Sequence, residues 1–217
     1  MASVAAEMVK LPRPSTPRAA CRRIGSSVQH GHSADHDNPW RYRIEAMAYS
    51  AADVVRNLGG LLFDRRCLGW DTAVLLNDCA DLRPLQIIGA DCADLGPTLD
   101  EPGRPTPAAI ATSVHLYRSD PRIGARVDAA VDSRSTEVVL WGGTDSDGAK
   151  PQMIVVAHQI SRAAAAFKIQ ALAAAAHAKP LTDIVVETFL TTHATWRTAD
   201  LRQPTLSRPK SCTTARL

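Results

Sequence analysis

Aromatic side chains are scarce in this sequence, at 5% of its 217 residues, so few rings are present to stack on bases or sugars. No apolar run approaches the roughly 18 residues that a membrane-spanning helix needs, and we therefore expect no membrane partner. The five cysteines form no CxxC pair, and an odd number leaves one unpaired in any full disulfide scheme. Cysteine usage of this kind predicts reduced thiols and a cytoplasmic location.

The charge of the chain is unevenly distributed. Residues 1–43 and residues 188–217 each carry a net charge of +4, whereas residues 44–187 carry −5. The two ends are also rich in proline, serine and threonine, and they lack a sustained apolar period. We therefore predict a disordered, basic, His-containing leader at 1–39, a compact domain at 40–194 and a disordered basic tail at 195–217.

Within the predicted domain, apolar spacing separates segments of strand length from segments of helix length. Ser50 begins a capping-box-like pattern, and Pro107 and Pro121 each occupy the first position of a predicted helix. Gly59 and Gly60 lie inside the first helix, where a bend or a close backbone contact would explain them. Predicted strands are 41–47 (a short edge strand), 72–76, 85–88, 136–141 and 153–157; predicted helices are 51–67, one from 107, one from 121, and 161–178; residues 184–190 fit either type.

This order predicts an α/β or α+β fold, in which a single mixed sheet of about four or five strands packs with about four helices. The segments 72–76 and 85–88 are too close for a crossover helix, so we expect them to form an antiparallel or hairpin pair. A mixed sheet is therefore favoured over a purely parallel, doubly wound one.

A short internal repeat is the most unusual feature of the sequence. The pentapeptide Asp78–Leu82, of sequence DCADL, recurs as Asp91–Leu95. Thiolates and carboxylates both bind zinc, so two copies invite a metal hypothesis. If each copy follows one strand of an antiparallel pair, however, the copies emerge at opposite edges of the sheet. We interpret them as turns that end their strands, with a small duplication behind the likeness.

A second metal hypothesis concerns the leader. His30, His32, Asp35 and His36 resemble the HxHxDH zinc motif of the metallo-β-lactamase superfamily, with one extra residue between His32 and Asp35. Because the spacing differs and no buried strand precedes the motif, we transfer neither the fold nor the activity of that superfamily. A solvated polar tract is the favoured interpretation.

Several aspartates follow predicted strands, and parallel strands would bring them to one edge of the sheet, where they could hold Mg²⁺. The expected hairpin separates half of them. As candidate metal ligands, for an alternative hypothesis only, the sequence offers Asp78, Asp91, Asp94, Asp145 and Asp147.

We therefore predict a soluble, non-catalytic protein-interaction or regulatory domain without a cofactor, which binds an unknown protein partner or itself. One alternative is a divalent-metal-dependent hydrolase or phosphoryl-transfer enzyme that uses the strand-end aspartates. Another is a regulator whose basic tails contact nucleic acid, which the acidic body and the scarcity of aromatic residues do not favour.

Overall fold

The computed structural model describes residues 42–143, 153–175 and 185–192 together with the backbone of residues 201–202. In these ranges the chain forms eight strands and six helices. The strands are β1 (Arg43–Ser50), β2 (Asp71–Asp78), β3 (Asp91–Asp94), β4 (Ala109–Ser113), β5 (Glu137–Trp141), β6 (Met153–Gln159), β7 (Val186–Thr192) and β8 (Leu201–Arg202). The helices are α1 (Ala51–Cys67), α2 (Arg83–Ile88), α3 (Leu95–Leu99), α4 (Val114–Ser119), α5 (Pro121–Ser133) and α6 (Arg162–Ala174).

All eight strands belong to one sheet, in the order β3-β2-β1-β4-β5-β7-β6-β8. Strands β1 to β5 run parallel, β7 is antiparallel to both β5 and β6, and β8 is antiparallel to β6. The prediction of a single mixed α/β sheet is confirmed. The predicted numbers of strands and helices are too low, because several elements are shorter than the apolar periods used to recognise them.

Helices cover both faces of the sheet. Alternate residues of β1 divide between two cores, with Ala46 and Ala48 in the core beneath α1 and Met47 in the core beneath α5. The chain order reverses direction between β1 and β4, since β1 leads through α1 to β2 on one side and β4 leads to β5 on the other. Such a topological switch point opens a crevice at the carboxyl ends of the two strands.

Strand β1 is central, which corrects its prediction as an edge strand. It pairs with β2 on one side and with β4 on the other, and five successive residues from Ile44 to Ala48 are buried. A strand that is buried on both faces has a nearly continuous apolar sequence, and in β1 only the first residues alternate between polar and apolar.

The predicted hairpin is wrong. Residues 85–88, predicted as a strand, lie in helix α2, where Pro84 occupies the first turn and Leu85 and Ile88 are buried on one face. Gly89, with φ of 75°, ends the helix in the left-handed conformation that glycine adopts without steric cost. Because α2 provides a crossover, β3 pairs with β2 in parallel.

The helix predicted from Pro107 also differs from the structure. Residues 109–113 form β4, in which Ala109, Ile110 and Ala111 are buried between β1 and β5. Helix α4 begins only at Val114, after the Ser113 Oγ accepts a hydrogen bond from Leu116 N at 3.1 Å. The helical spacing of apolar residues across this junction results from a strand followed directly by a helix.

Helix α1 approaches α6 and β7 closely at its middle. A Cβ at Gly60 would lie 2.4 Å from the Cγ2 of Ile160, so only glycine fits there without displacement. The Glu187 carboxylate accepts hydrogen bonds from the backbone N–H groups of Gly60 and Leu61 at 2.8 and 2.9 Å, and from Lys168 Nζ at 2.5 Å. The close contact predicted for the glycine pair is confirmed at Gly60.

None of the helices in the described ranges has both the length and the apolar character needed to cross a bilayer. Cys67, Cys79 and Cys92 are thiols rather than disulfides. The predicted leader and the polar tract around His30–His36 lie outside the described residues, as does most of the predicted tail, so these predictions and the expected cytoplasmic location remain predictions.

Candidate functional site at the switch point

A cleft of about 520 Å³ opens at the carboxyl ends of β1, β2, β4 and β5. It occupies the switch point, with the first turn of α1 on one wall and α4 on another. The lining residues are Tyr49, Asp53, Asn57, Asn77, Ser113, His115, Leu116, Ser119, Trp141 and Gly142. Open α/β sheets bind ligands at this place, because loops and helix N-termini from both halves of the sheet converge there.

Asp53 is the carboxyl group of the cleft, and the local fold places it in the first turn of α1. Ser50 is the N-cap residue of this helix, in an extended conformation, and its Oγ accepts a hydrogen bond from Asp53 N at 3.4 Å. Asn57 lies one turn later, and its Nδ2 donates to the Asp53 Oδ1 at 2.9 Å. The side chain of Asp53 is therefore held by its own helix and faces the cleft.

Burial raises the pKa of Asp53 above its ordinary value. The side chains of Trp141 and Asn57, and the charge of Arg56, act in the opposite direction by favouring the carboxylate, but they do not offset the loss of hydration. A carboxyl group that is half-buried in a cleft and holds its proton more tightly than usual is the kind of group that transfers protons in catalysis.

Trp141 forms the floor of the cleft at the end of β5. It is 2% exposed, and its indole Nε1 is buried without an acceptor in full hydrogen-bond geometry in the described part of the chain. Buried donors of this kind are rare, because leaving one unsatisfied costs about 1–3 kcal/mol. The Trp141 side chain interacts with the nearby Asp53 carboxyl and lowers the pKa of that group, against the effect of burial.

The walls near the opening are exposed and polar. Tyr49 is 62% exposed at the end of β1, and His115 is exposed in the first turn of α4. The carboxyl end of β4 is fixed to β1 by Thr112, whose Oγ1 donates to the carbonyl of Met47 at 2.9 Å inside the sheet. The rim residues therefore stand on a rigid, buried pair of strands.

The aspartates proposed as metal ligands do not assemble in the described structure. Asp78 ends β2 and Asp94 ends β3, but Asp91 begins β3 at the opposite edge of the sheet. Asp91 pairs with Ala73, five residues before Asp78, which corresponds to about 16 Å along the strand. Asp145 and Asp147 lie outside the described residues.

Whether the cleft could hold a resident metal ion depends on the donor groups among its lining residues. Asp53 and His115 are the carboxylate and the imidazole among its lining residues, and the remaining side chains are amides, hydroxyls, an indole and an apolar group. Three protein ligands are usual even for a catalytic zinc site. Across residues 42–143, 153–175 and 185–192, no group of three or more His, Cys, Asp or Glu is placed to hold a metal. The described residues therefore do not fit a resident metal ion.

Sequence reasoning missed Asp53 as a site residue. The sequence pattern around Asp53 predicts only the start of a helix. Because residues 109–113 were assigned to a helix, the strand end that faces Asp53 was not predicted. Two buried strands end at a serine that caps the following helix, namely Ser50 before α1 and Ser113 before α4. That repeated signal could have located the switch point.

No protein-family model and no curated protein matches this chain. Among solved structures, the chain is similar to the A40926 pseudoaglycone deacetylase, with 14% identity and a TM-score of 0.50, over 72% of this chain and 100% of that one. It also matches the zinc-inhibited form of a teicoplanin deacetylase at 13% identity and a TM-score of 0.47, over 69% of this chain and 97% of that one.

The likeness to the A40926 pseudoaglycone deacetylase shows a shared fold. This finding contradicts the prediction of a non-catalytic interaction or regulatory domain, because the solved protein that shares the fold is a deacetylase. The comparison favours the hydrolase alternative instead. The cleft at the switch point, which the sequence analysis did not identify, is where such an activity would be sought in this fold.

Proposed function

We propose that this chain is a hydrolase of small molecules, with its active site in the switch-point cleft and Asp53 as the group that takes and returns a proton. The observation that carries the proposal is the half-buried carboxyl of Asp53, whose pKa is raised by burial at the place where α/β sheets bind their ligands. The fold shared with a deacetylase supports hydrolysis as the class of reaction.

The reaction that fits is the hydrolysis of an amide or ester. The Asp53 carboxylate takes a proton from a water molecule while the water oxygen forms a bond to the carbonyl carbon. The bond from that carbon to the leaving nitrogen or oxygen then breaks, and Asp53 returns the proton to the leaving atom. A raised pKa makes the carboxylate a stronger base, and it also leaves the protonated form available as the acid.

Other residues of the cleft have positioning roles in this proposal. Asn57 donates to the Asp53 Oδ1 and holds the carboxylate in place. The hydroxyl of Ser113 is engaged with its own helix, since it accepts from Leu116 N, so we assign it to helix capping rather than to nucleophilic attack. Because the described donors do not fit a metal, no step of the reaction is assigned to one.

The proposal is tested by measuring hydrolysis of N-acetylated amines, p-nitrophenyl esters and p-nitrophenyl phosphate by the purified chain in the presence of EDTA. Turnover of the amides or esters is expected, and Asp53→Asn should lower kcat/KM by about 10²–10⁴, the range of general acid–base catalysis. Asp91→Asn is the matched control, because Asp91 is exposed at the opposite edge of the sheet and should leave turnover unchanged.

Two outcomes would overturn the assignment. Turnover that is equal in the wild type and in Asp53→Asn would remove Asp53 from the reaction. Turnover that is lost in EDTA and restored by Zn²⁺ would show a metal-dependent route that the described residues do not predict.

A further inference from the structure

The described walls of the cleft carry a carboxyl group but no lysine or arginine to balance its charge. Among the described lining residues, Asp53 is the carboxyl group, and neither lysine nor arginine contributes to the wall. The other polar groups include the amides of Asn57 and Asn77 and the hydroxyl of Ser119, which bind neutral hydrogen-bonding groups as donors or acceptors. Such a wall attracts a cation or a neutral polar group, and it offers an anion hydrogen-bond donors but no lysine or arginine.

Anionic ligands are disfavoured by this wall for two reasons. A phosphate or carboxylate group needs arginine, lysine or a set of backbone N–H donors to replace its hydration, and in this cleft it would also meet the Asp53 carboxylate. An ammonium group gains a charge-assisted hydrogen bond at the same place. Since Asp53 loses hydration in the cleft, a bound cation supplies the stabilisation that the described side chains only partly provide.

We propose that the molecule bound in this cleft presents an amine to Asp53, and that the cleft discriminates against phosphate and carboxylate ligands. This inference rests on the proposed function for the location of the site, but not for the chemical step. It names the substrate class as amine-bearing small molecules, and it sets aside phosphate esters, which the phosphoryl-transfer alternative would require.

Other titratable and charged groups near Asp53 determine how its amine affinity depends on pH. Arg56 lies on the same helix and acts on Asp53 through its charge, while His115 of α4 and Tyr49 of β1 line the cleft. Protonation of Asp53 removes the charged partner of the amine. Amine binding should therefore weaken as the solution becomes acidic.

The test uses three probes that share one ring and differ in charge, namely cyclohexylamine, cyclohexanol and cyclohexanecarboxylate, with inorganic phosphate as a fourth. Binding to the full chain is followed by two-dimensional NMR at neutral pH, with the indole N–H of Trp141 and the amide of Gly142 as reporters, because both residues line the cleft. We expect the amine to bind about tenfold more tightly than the alcohol, which corresponds to ~1.4 kcal/mol. The carboxylate and phosphate should show no saturable shift.

Asp53→Asn is expected to abolish the preference for the amine while the spectrum retains its folded pattern, and Asp91→Asn should keep the preference. Equal or tighter binding of the carboxylate or phosphate would overturn the inference, as would an amine preference that persists in Asp53→Asn. Amine binding without any hydrolysis would overturn the proposed function alone. Hydrolysis without an amine preference would overturn this inference alone.

Discussion

Two carboxyl groups at helix α1 differ in how their surroundings compensate the carboxylate for its lost hydration. Asp53 lies in the first turn of the helix, and Glu187 of β7 contacts the middle of the same helix. Burial raises the pKa of both groups. Glu187 is fully enclosed, and its oxygens accept from two backbone N–H groups and from Lys168. Asp53 has Asn57 and the nearby Trp141, and it opens onto a cleft.

The comparison separates a structural charge from a functional one. In the Glu187 cluster, the protein itself supplies the cation and the donors, so no room is left for a ligand. At Asp53 the nearest partners are the neutral side chains of Asn57 and Trp141, Arg56 acts only through its charge, and the carboxyl faces an open cleft. A buried carboxyl that lacks an enclosed cation is the better candidate for chemistry, because its remaining partner must come from outside.

The largest expected effect follows from removing the enclosed cation. Lys168→Met leaves Glu187 buried without its charged partner, and breaking a buried pair in this way typically costs about 3–5 kcal/mol of unfolding free energy. Urea unfolding at neutral pH measures the loss. The double variant Lys168→Met/Glu187→Gln should recover part of it, since a neutral amide can still accept from a backbone N–H of α1.

Arg162→Met is the control for this experiment, since Arg162 lies at the exposed start of the same helix and should change the stability by less than about 0.5 kcal/mol. A loss below about 1 kcal/mol in Lys168→Met would contradict the interpretation of the pair as an essential compensation. The same would hold for a double variant less stable than Lys168→Met alone.

A smaller effect is expected where Glu187 meets the helix backbone. Gly60→Ala places a Cβ 2.4 Å from Ile160 Cγ2 and 2.9 Å from Ile160 Cβ. Because the second of these atoms is close to the backbone, the contact between α1 and Ile160 must shift, which should cost about 1–3 kcal/mol in urea unfolding.

The neighbouring glycine provides a matched control. A Cβ at Gly59 would lie 3.4 Å from Val55 Cγ1, an ordinary contact, so Gly59→Ala should stabilise the helix by up to about 1 kcal/mol. Equal effects at the two positions would show that the close approach of α1 to Ile160 is not what Gly60 provides.

The sequence predicted the elements that carry local signals, and it failed where tertiary pairing decides the structure. The cap at Ser50, the start at Pro121 and strand β5 are all present as expected. The pentapeptide DCADL shows why local patterns fail elsewhere. Its first copy ends β2 and continues into the turn before α2, whereas Asp91–Asp94 of the second copy is strand β3 itself. Identical residues therefore adopt different structures, because the second copy pairs with β2 along Asp91–Asp94, whereas only Asp78 of the first copy is paired.

The candidate site could be predicted only in part for the same reason. Which strand ends meet depends on strand order, and one helix predicted as a strand was enough to turn a parallel crossover into a hairpin. With α2 and β4 assigned correctly, the carboxyl ends of β1 and β4 become neighbours across the switch point. The raised pKa of Asp53 depends on burial in a cleft whose wall includes Trp141, a residue distant in sequence that enters the site only through the sheet.

The smallest effect expected is on stability at Asp53, where removing the carboxylate leaves no enclosed cation unpaired. Burial raises the pKa of Asp53 in the folded state above 3.8, the ordinary pKa of an aspartate, which applies to the unfolded chain. The folded state therefore binds this proton more tightly, and wild-type stability falls as the pH rises from below 3.8 through the raised pKa. Asp53→Asn removes this penalty and should stabilise the protein at neutral pH by about 0.5–1 kcal/mol, since solvent in the cleft screens part of it.

Urea unfolding of the wild type and Asp53→Asn between pH 3 and pH 8 measures this difference. The two stabilities should converge at the acidic end, where Asp53 is protonated in both the folded and the unfolded states, and separate as the pH rises. Asp91→Asn, at an exposed position, should follow the wild type throughout. A neutral-pH stability of Asp53→Asn below that of the wild type would contradict this interpretation, because it would mean that the fold itself compensates the Asp53 carboxylate and that no ligand is needed to do so.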